Sequence, residues 1–151
     1  VLEFYKINSL ENFTDKLKLF KNKLIKEIRF AFDKGKTPVL FTSRKFYYLK
    51  DLEQLNLHNA LALFIAEIVA DLKFEIGYLI SKGGITTNIV LSNGLKADYV
   101  YLEGQIETGI SLVTHIMENN NKLPIITFPG NIGNKDSLLK IWRAFENKNY
   151  F

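Results

Sequence analysis

Two glycine-rich turns are the parts of this sequence best suited to bind a ligand. Gly83 and Gly84 lie between an apolar run and a helix-like segment, and the stretch Phe128-Pro-Gly-Asn-Ile-Gly-Asn-Lys-Asp-Ser137 has the same surroundings. A strand that turns through glycine into a helix leaves backbone N–H groups unpaired at the helix N-terminus, where they can hold a phosphate. Glycine turns also close many α/β units without a ligand. Two such turns in one small chain nevertheless predict a nucleotide or another anion.

Each candidate residue has a structural explanation as well as a functional one. The glycines bring the backbone close to a phosphate, or they supply the positive φ of a tight turn. Thr86 bonds a ligand or caps a helix, and Asn131 bonds a base or ribose or occupies a left-handed turn position. Lys82 either faces a phosphate or is a solvated lysine, and we expect the solvated lysine. The candidate ligand-binding residues are Ser43, Gly83, Gly84, Thr86, Gly109, Gly130, Asn131 and Gly133.

The composition excludes several kinds of site. The chain has 151 residues, enough for one domain with a hydrophobic core, and 47% of them are hydrophobic. Without cysteine it has neither disulfides nor a thiolate metal site, and two histidines are too few for a histidine-rich metal centre. No pair of carboxylates is evidently placed for a metal, and no catalytic base is identified.

The net charge of +4 comes mainly from lysines, which crowd residues 16–26. A basic patch can bind nucleic acid or an anionic membrane, but lysines on the outer face of a helix explain the cluster more simply. We therefore expect no nucleic-acid partner and no membrane. No apolar run approaches the roughly 20 residues of a membrane helix and no signal peptide is evident, so we expect a cytoplasmic location. The chain begins at Val1, and we expect sequence to precede it.

Apolar periodicity predicts the elements that position the turns. Behind Ser9, apolar residues recur every three or four positions, which predicts a helix that stops at residues 33–36. Further helices are predicted over 57–73, 86–91 and 137–146. Apolar runs predict strands over 38–42, 77–81, 99–102, 112–117 and 123–128, the last two joined as an antiparallel hairpin.

Alternating helices and strands predict an α/β fold of three layers, with helices on both faces of a mostly parallel sheet that includes the antiparallel hairpin. In such sheets ligands bind beyond the carboxyl ends of the strands. The turns at 42–44, 81–84 and 129–133 are expected there, and a loop at 103–109 joins two strands beside them. This convergence is the strongest argument in the sequence for a binding site.

At these four places the chain resembles the C-terminal nucleotide-binding domain of the four-carbon acid sugar kinases. That domain has Thr-Ser-Arg after its first strand, a Gly-Gly-Asp-Thr turn, a Gly-Glu-Ile-x-Pro-Gly-Val-Pro loop, and Lys-x-Gly-Asn/Gly-Phe-Gly before its final helix. The counterparts here are Thr42-Ser43-Arg44, Gly83-Gly84-Ile85-Thr86, Gly104-Gln105-Ile106-Glu107-Thr108-Gly109-Ile110-Ser111 and Phe128-Pro129-Gly130-Asn131-Ile132-Gly133. Their order and approximate spacing match over residues 34–145.

The resemblance implies that residues 1–151 form a single domain that binds ATP with Mg²⁺. It implies the nucleotide-holding half of a kinase that phosphorylates a four-carbon acid sugar similar to threonate or erythronate. In those kinases a separate N-terminal domain binds the sugar acid, and this chain lacks it. We therefore expect that domain as a partner, expect little turnover from the isolated chain, and regard a homodimer as possible.

Three departures from the kinase pattern remove charge from the implied site. Ile85 replaces an acidic residue, Gln105 replaces a glutamate, and Phe128 replaces a lysine whose charge can face a phosphate. The sequence leaves two alternatives to a kinase domain. One is a non-catalytic ligand-binding or regulatory domain that kept the fold. The other is an interaction domain, in which the aromatic residues at 46–48 form a contact surface for the missing part.

Overall fold

A computed structural model of the chain describes residues 10–42 and 51–146. The chain divides into two compact units, Val1–Ala60 and Leu61–Phe151. The first unit contains helix α1 (Leu10–Asp33), and helix α2 (Asp51–Leu72) begins in the first unit and ends in the second. All the strands found in the described residues belong to the second unit. Both long helices confirm the predicted ones, although α2 starts earlier than expected.

Helix α1 is amphipathic, as its sequence period predicts. Ile25 is buried, while Lys18, Lys23 and Lys26 are exposed, which confirms a lysine-rich solvent face. The helix ends at a turn in which Gly35 adopts φ +62° and its N–H donates to the Phe32 carbonyl at 2.8 Å. A left-handed glycine after the last helical turn is a common helix stop, because glycine has no Cβ to oppose it.

The predicted strand over 38–42 is wrong, because residues 36–42 have no regular structure. Val39 and Phe41 are 73% and 81% exposed. An apolar run becomes a strand only when a neighbouring strand satisfies its backbone, and Pro38 has no N–H to offer such a neighbour. Because this run was expected to be the first strand of the sheet, the turn at 42–44 loses its predicted place at a strand end.

Within residues 10–42 and 51–146 the sheet has four strands: β1 (Leu79–Lys82), β2 (Tyr101–Glu107), β3 (Ile110–Ile116) and β4 (Lys122–Phe128). Their order is β1-β4-β3-β2, and among these described strands only β1 and β4 are parallel neighbours. The prediction of a mostly parallel sheet is therefore wrong, and the sheet is mixed. The reason is that two short turns, after β2 and after β3, fold three successive strands back on one another.

The two hairpins differ in how well the sequence predicted them. The β3–β4 hairpin is confirmed, with the Met117 N–H donating to the Asn121 carbonyl at 2.9 Å. The loop predicted at 103–109 is instead mostly strand β2, and its turn is confined to Thr108 and Gly109. Polar and glycine residues concealed this strand, since Gly104 and Gln105 interrupt its apolar alternation.

Alternate residues of β4 belong to two apolar clusters, as expected when neighbouring side chains point to opposite faces of a sheet. Ile125 lies in a cluster that includes Leu95 and Val113, and Ile126 lies in one that includes Ile141 and Phe145. Both isoleucines are fully buried. β4 thus contributes to both apolar clusters, and the predicted three-layer arrangement stays a prediction.

The remaining helices are short and lie next to the candidate site. Helix α3 (Gly84–Ile89) continues into a π-helical turn (Val90–Gly94), and α4 (Ser137–Glu146) follows β4. The carbonyl of Ala66 in α2 would lie only 2.8 Å from a Cβ at Gly94, so only glycine permits this close approach. None of the helices in residues 10–42 and 51–146 is long and apolar enough to cross a membrane.

Replacing Ile126 with alanine tests whether β4 is the core strand. Its side chain is fully buried, so the substitution should lower the free energy of unfolding by about 2–4 kcal/mol through lost burial and a residual cavity. The matched control is Leu102→Ala on β2, where the side chain is 71% exposed and the loss should stay below about 0.5 kcal/mol. Urea denaturation measures both, and similar small losses would contradict the placement of β4.

Candidate functional site

The parallel pairing of β1 with β4 brings the two glycine turns side by side. Lys82, at the end of β1, pairs with Phe128, at the end of β4. The N–H of Gly83 donates to the Phe128 carbonyl at 2.8 Å, and a Cβ at Gly130 would lie 3.9 Å from the Gly83 Cα. The two turns therefore meet at one edge of the sheet, as the sequence predicted for them.

The first glycine turn, which contains Gly83 and Gly84, presents unpaired N–H donors at the start of α3. Gly83 is the N-cap residue, with φ +104° and no side-chain cap. The first helical hydrogen bond is donated by Thr87 N–H to the Gly83 carbonyl at 2.9 Å. The amides of Gly84, Ile85 and Thr86 therefore have no acceptor within the helix, and Gly84 is exposed. These groups can accept an anion.

The predicted helix-capping role of Thr86 is wrong, and its contact with a ligand stays a prediction. Thr86 lies inside the first turn of α3 and does not cap the helix, because the N-cap is Gly83. The buried neighbour Thr87 places its Oγ1 2.9 Å from Ser81 Oγ and 3.2 Å from the Ser81 carbonyl. This contact fixes α3 against the end of β1. Thr87 was not among the candidate residues. The only sign of its role in the sequence is another small polar residue, Ser81, six positions earlier.

Lys82 is exposed, as expected of a solvated lysine, but it also makes contacts within the protein. Its Nζ donates to the carbonyl of Pro129 at 3.0 Å and lies 3.4 Å from the carbonyls of Gly130 and Ile132. It also lies 3.9 Å from the centroid of the Phe128 ring, within the range of a cation–π interaction. The Lys82 side chain, next to the first glycine turn, thus holds the backbone of the second glycine turn, residues 129–133.

Two glycines let the second turn pack closely. A Cβ at Gly133 (φ +87°) would meet the Phe128 ring at 2.8 Å, and one at Gly109 (φ +77°) would meet Ile132 Cδ1 at 2.6 Å. Gly109, in the β2–β3 hairpin turn, thus makes room for the second glycine turn. Its proposed contact with a ligand stays a prediction.

The start of α4 is capped by its own chain. The Asn134 side chain accepts hydrogen bonds from the N–H groups of Asp136 and Ser137 at 2.8 and 3.1 Å, and Ser137 Oγ accepts one from the Asn134 N–H at 3.0 Å. The expectation that the 128–137 turn leaves free donors at this helix is therefore wrong for Asp136 and Ser137. Of the two helix starts, α3 has the more available amides.

An open depression of about 530 Å³ lies beside the second turn. Its lining residues are Glu107, Thr108, Ile132, Gly133, Asn134 and Ser137. Gly130 and Asn131 are exposed on the same turn. Ser43, Arg44 and the aromatic residues at 46–48 lie outside the described residues, so their predicted roles are untested. Within the described ranges, no three histidine, aspartate or glutamate residues are grouped to hold a metal ion.

The chain also matches a known protein family. The family model of the nucleotide-binding C-terminal domain matches residues 4–138, most of the chain. The chain belongs to this family. The region that matches this nucleotide-binding C-terminal domain contains both glycine turns and the unpaired amides at the start of α3. It ends within the first residues of α4.

One solved structure supports the fold of this nucleotide-binding C-terminal domain. It is a crystal structure of a domain of unknown function (DUF1537) from Bordetella bronchiseptica, a domain-swapped dimer with bound citrate. The TM-score is 0.57 at 20% sequence identity, over 80% of this chain and 29% of that one. The chain thus spans less than a third of its neighbour's length. No curated protein matches the chain.

Replacing Gly133 with alanine tests the close packing of the second turn. The added Cβ would meet the Phe128 ring at 2.8 Å in a backbone of φ +87°, so the free energy of unfolding should fall by about 2 kcal/mol or more. Gly77→Ala is the control, because nothing lies within 4 Å of its Cβ. Equal unfolding midpoints for the two variants in urea would contradict the described turn.

Proposed function

We propose that this domain binds ATP or ADP through its phosphates, at the adjoining turns formed by residues 82–86 and 129–133. The observation that carries the proposal is the parallel β1–β4 pair, which puts both turns at one edge of the sheet. Membership of the nucleotide-binding C-terminal domain family supports a nucleotide as the anion. The location also agrees with the general preference of ligands for the carboxyl ends of parallel strands.

The groups present at the first turn suit a phosphate. The amides of Gly84, Ile85 and Thr86 lack helical acceptors, and α3 begins at Gly84, so its dipole favours negative charge there. Gly84 has nothing within 4 Å of a hypothetical Cβ. A phosphate can therefore approach the backbone at this residue without meeting a side chain.

The described residues are better suited to bind a nucleotide than to bind a metal ion through protein side chains alone. No three histidine, aspartate or glutamate side chains in the described ranges are grouped for a metal. Mg²⁺ commonly binds to substrate phosphates together with only one or two carboxylates. The chemistry that ATP supplies is a transferable phosphoryl group, and its transfer depends mainly on positioning and charge neutralisation. The part of this chain is to hold and orient the phosphates.

We further propose that the domain is the nucleotide-holding half of a kinase for a four-carbon acid sugar. The support is the resemblance at the motifs around residues 83–86, 104–111 and 128–133, together with a solved neighbour of the same fold whose chain is much longer. A partner domain would then bind the sugar acid and complete the site. Because that neighbour is a domain-swapped dimer, we propose a homodimer for the full protein as well.

Two departures from the kinase pattern favour a second candidate, a ligand-binding domain without catalysis. Ile85, where the kinase pattern has an acidic residue, is 56% exposed in the first turn of α3. Phe128, where that pattern has a lysine, is buried. An apolar side chain at the mouth of the turn cannot accept a hydrogen bond from ribose or from metal-bound water. Absence of nucleotide binding by the folded chain would favour this candidate.

Calorimetric titration of ADP and ATP, with and without Mg²⁺, tests the proposal with a matched pair of variants. Gly84→Asp adds a carboxylate at the proposed phosphate position, and nothing lies within 4 Å of its Cβ. Affinity should fall at least about tenfold, equivalent to about 1.4 kcal/mol, because two negative charges then lie close together.

Gly77→Asp is the control for that experiment. It makes the same charge change just before β1, and nothing lies within 4 Å of its Cβ either. We expect it to bind nucleotide as the parent does. Equal affinities of the folded Gly84→Asp variant and the parent would rule out this phosphate position. No binding by the folded parent would count against nucleotide binding altogether.

A further inference from the structure

The ammonium of Lys82 connects the two glycine turns. Its Nζ lies 3.0, 3.4 and 3.4 Å from the carbonyl oxygens of Pro129, Gly130 and Ile132. An ammonium group has three N–H donors and no acceptor, so one side chain can serve all three carbonyls. Lys82 is the residue immediately before Gly83, so a side chain next to the proposed phosphate turn contacts the backbone of the other turn.

Phe128 forms a platform beneath this ammonium. Phe128 is the Cα partner of Lys82, so the two side chains point to the same face of the sheet. The Lys82 Nζ lies 3.9 Å from the ring centroid, and the ring is 2% exposed. The ring also packs against Gly133. Phe128 is thus a fixed part of the structure, whereas Lys82 is exposed.

This arrangement puts a positive charge over the position where the kinase pattern has its lysine. The kinase pattern places a lysine at the position of Phe128, on β4. Here the aromatic ring occupies that position, and a lysine from the paired position on β1 lies over it. One positive charge is therefore kept at the same end of the sheet, although it comes from the neighbouring strand.

We propose that Lys82 is the phosphate-facing cation of the nucleotide site, and that Phe128 positions it. The inference rests on the proposed function and adds a residue to it. In the free protein the ammonium orders the second turn through its carbonyls. Two of those contacts are long at 3.4 Å and weak for a hydrogen bond. A phosphate offers shorter, charge-assisted bonds, so the exposed side chain turns from the carbonyls to the ligand.

The test uses the whole chain, with Lys82→Met to remove the charge and Lys82→Arg to keep it. Displacement of a fluorescent ADP analogue measures the affinities of ADP and adenosine. Lys82→Met should bind ADP at least about tenfold more weakly, equivalent to about 1.4 kcal/mol, while its adenosine affinity stays within about twofold of the parent. Lys82→Arg should retain most of the ADP affinity, since the cation remains.

The control is Lys122→Met, which removes an exposed lysine at the opposite end of β4 and should bind ADP as the parent does. Parent-like ADP binding by Lys82→Met would overturn the inference and leave the proposed function standing. Equal losses for ADP and adenosine, or equal losses in the methionine and arginine variants, would make Lys82 a structural residue and also overturn it. If the folded parent binds neither the analogue nor ADP, the proposed function and the inference both fail.

Discussion

The pairing of β1 with β4 is the interaction on which the rest of the site depends. These are the only parallel neighbours among the described strands, and their register places Lys82 opposite Phe128. Because both strands run in the same direction, the chain leaves both at the same edge of the sheet. A glycine turn follows each strand, so the two turns meet there. An antiparallel pair would have placed them at opposite edges.

Several local features maintain that edge. The buried contact between Thr87 and Ser81 holds α3 at the end of β1, and the Gly83 N–H bonds to the last carbonyl of β4. Gly133 lets the second turn fold over the Phe128 ring. At the start of α4 the Asn134 side chain accepts the N–H groups of Asp136 and Ser137, so α3 offers more amides to a ligand than α4 does.

The sequence was sufficient to predict the helices and turns that depend on local apolar periodicity and on turn residues. Both long helices, the final helix and the β3–β4 hairpin follow from apolar spacing and an asparagine turn, and the meeting of two glycine turns follows from their positions after strands. The sequence did not reveal what depends on pairing in space. The apolar run at 38–42 has no regular structure, and Gly104 concealed strand β2. Only the register of β1 with β4 shows that Lys82 lies over Phe128.

The account predicts that the phosphates bind at α3 beside the second glycine turn, and amide NMR tests this most directly. In a titration of the isotopically labelled chain with ADP, the largest shifts should fall on the amides of Gly84, Ile85 and Thr86, with smaller ones over residues 130–133. Saturable shifts centred on the start of α4, or on the far ends of the strands, would contradict the account. So would the absence of any shift in the folded chain.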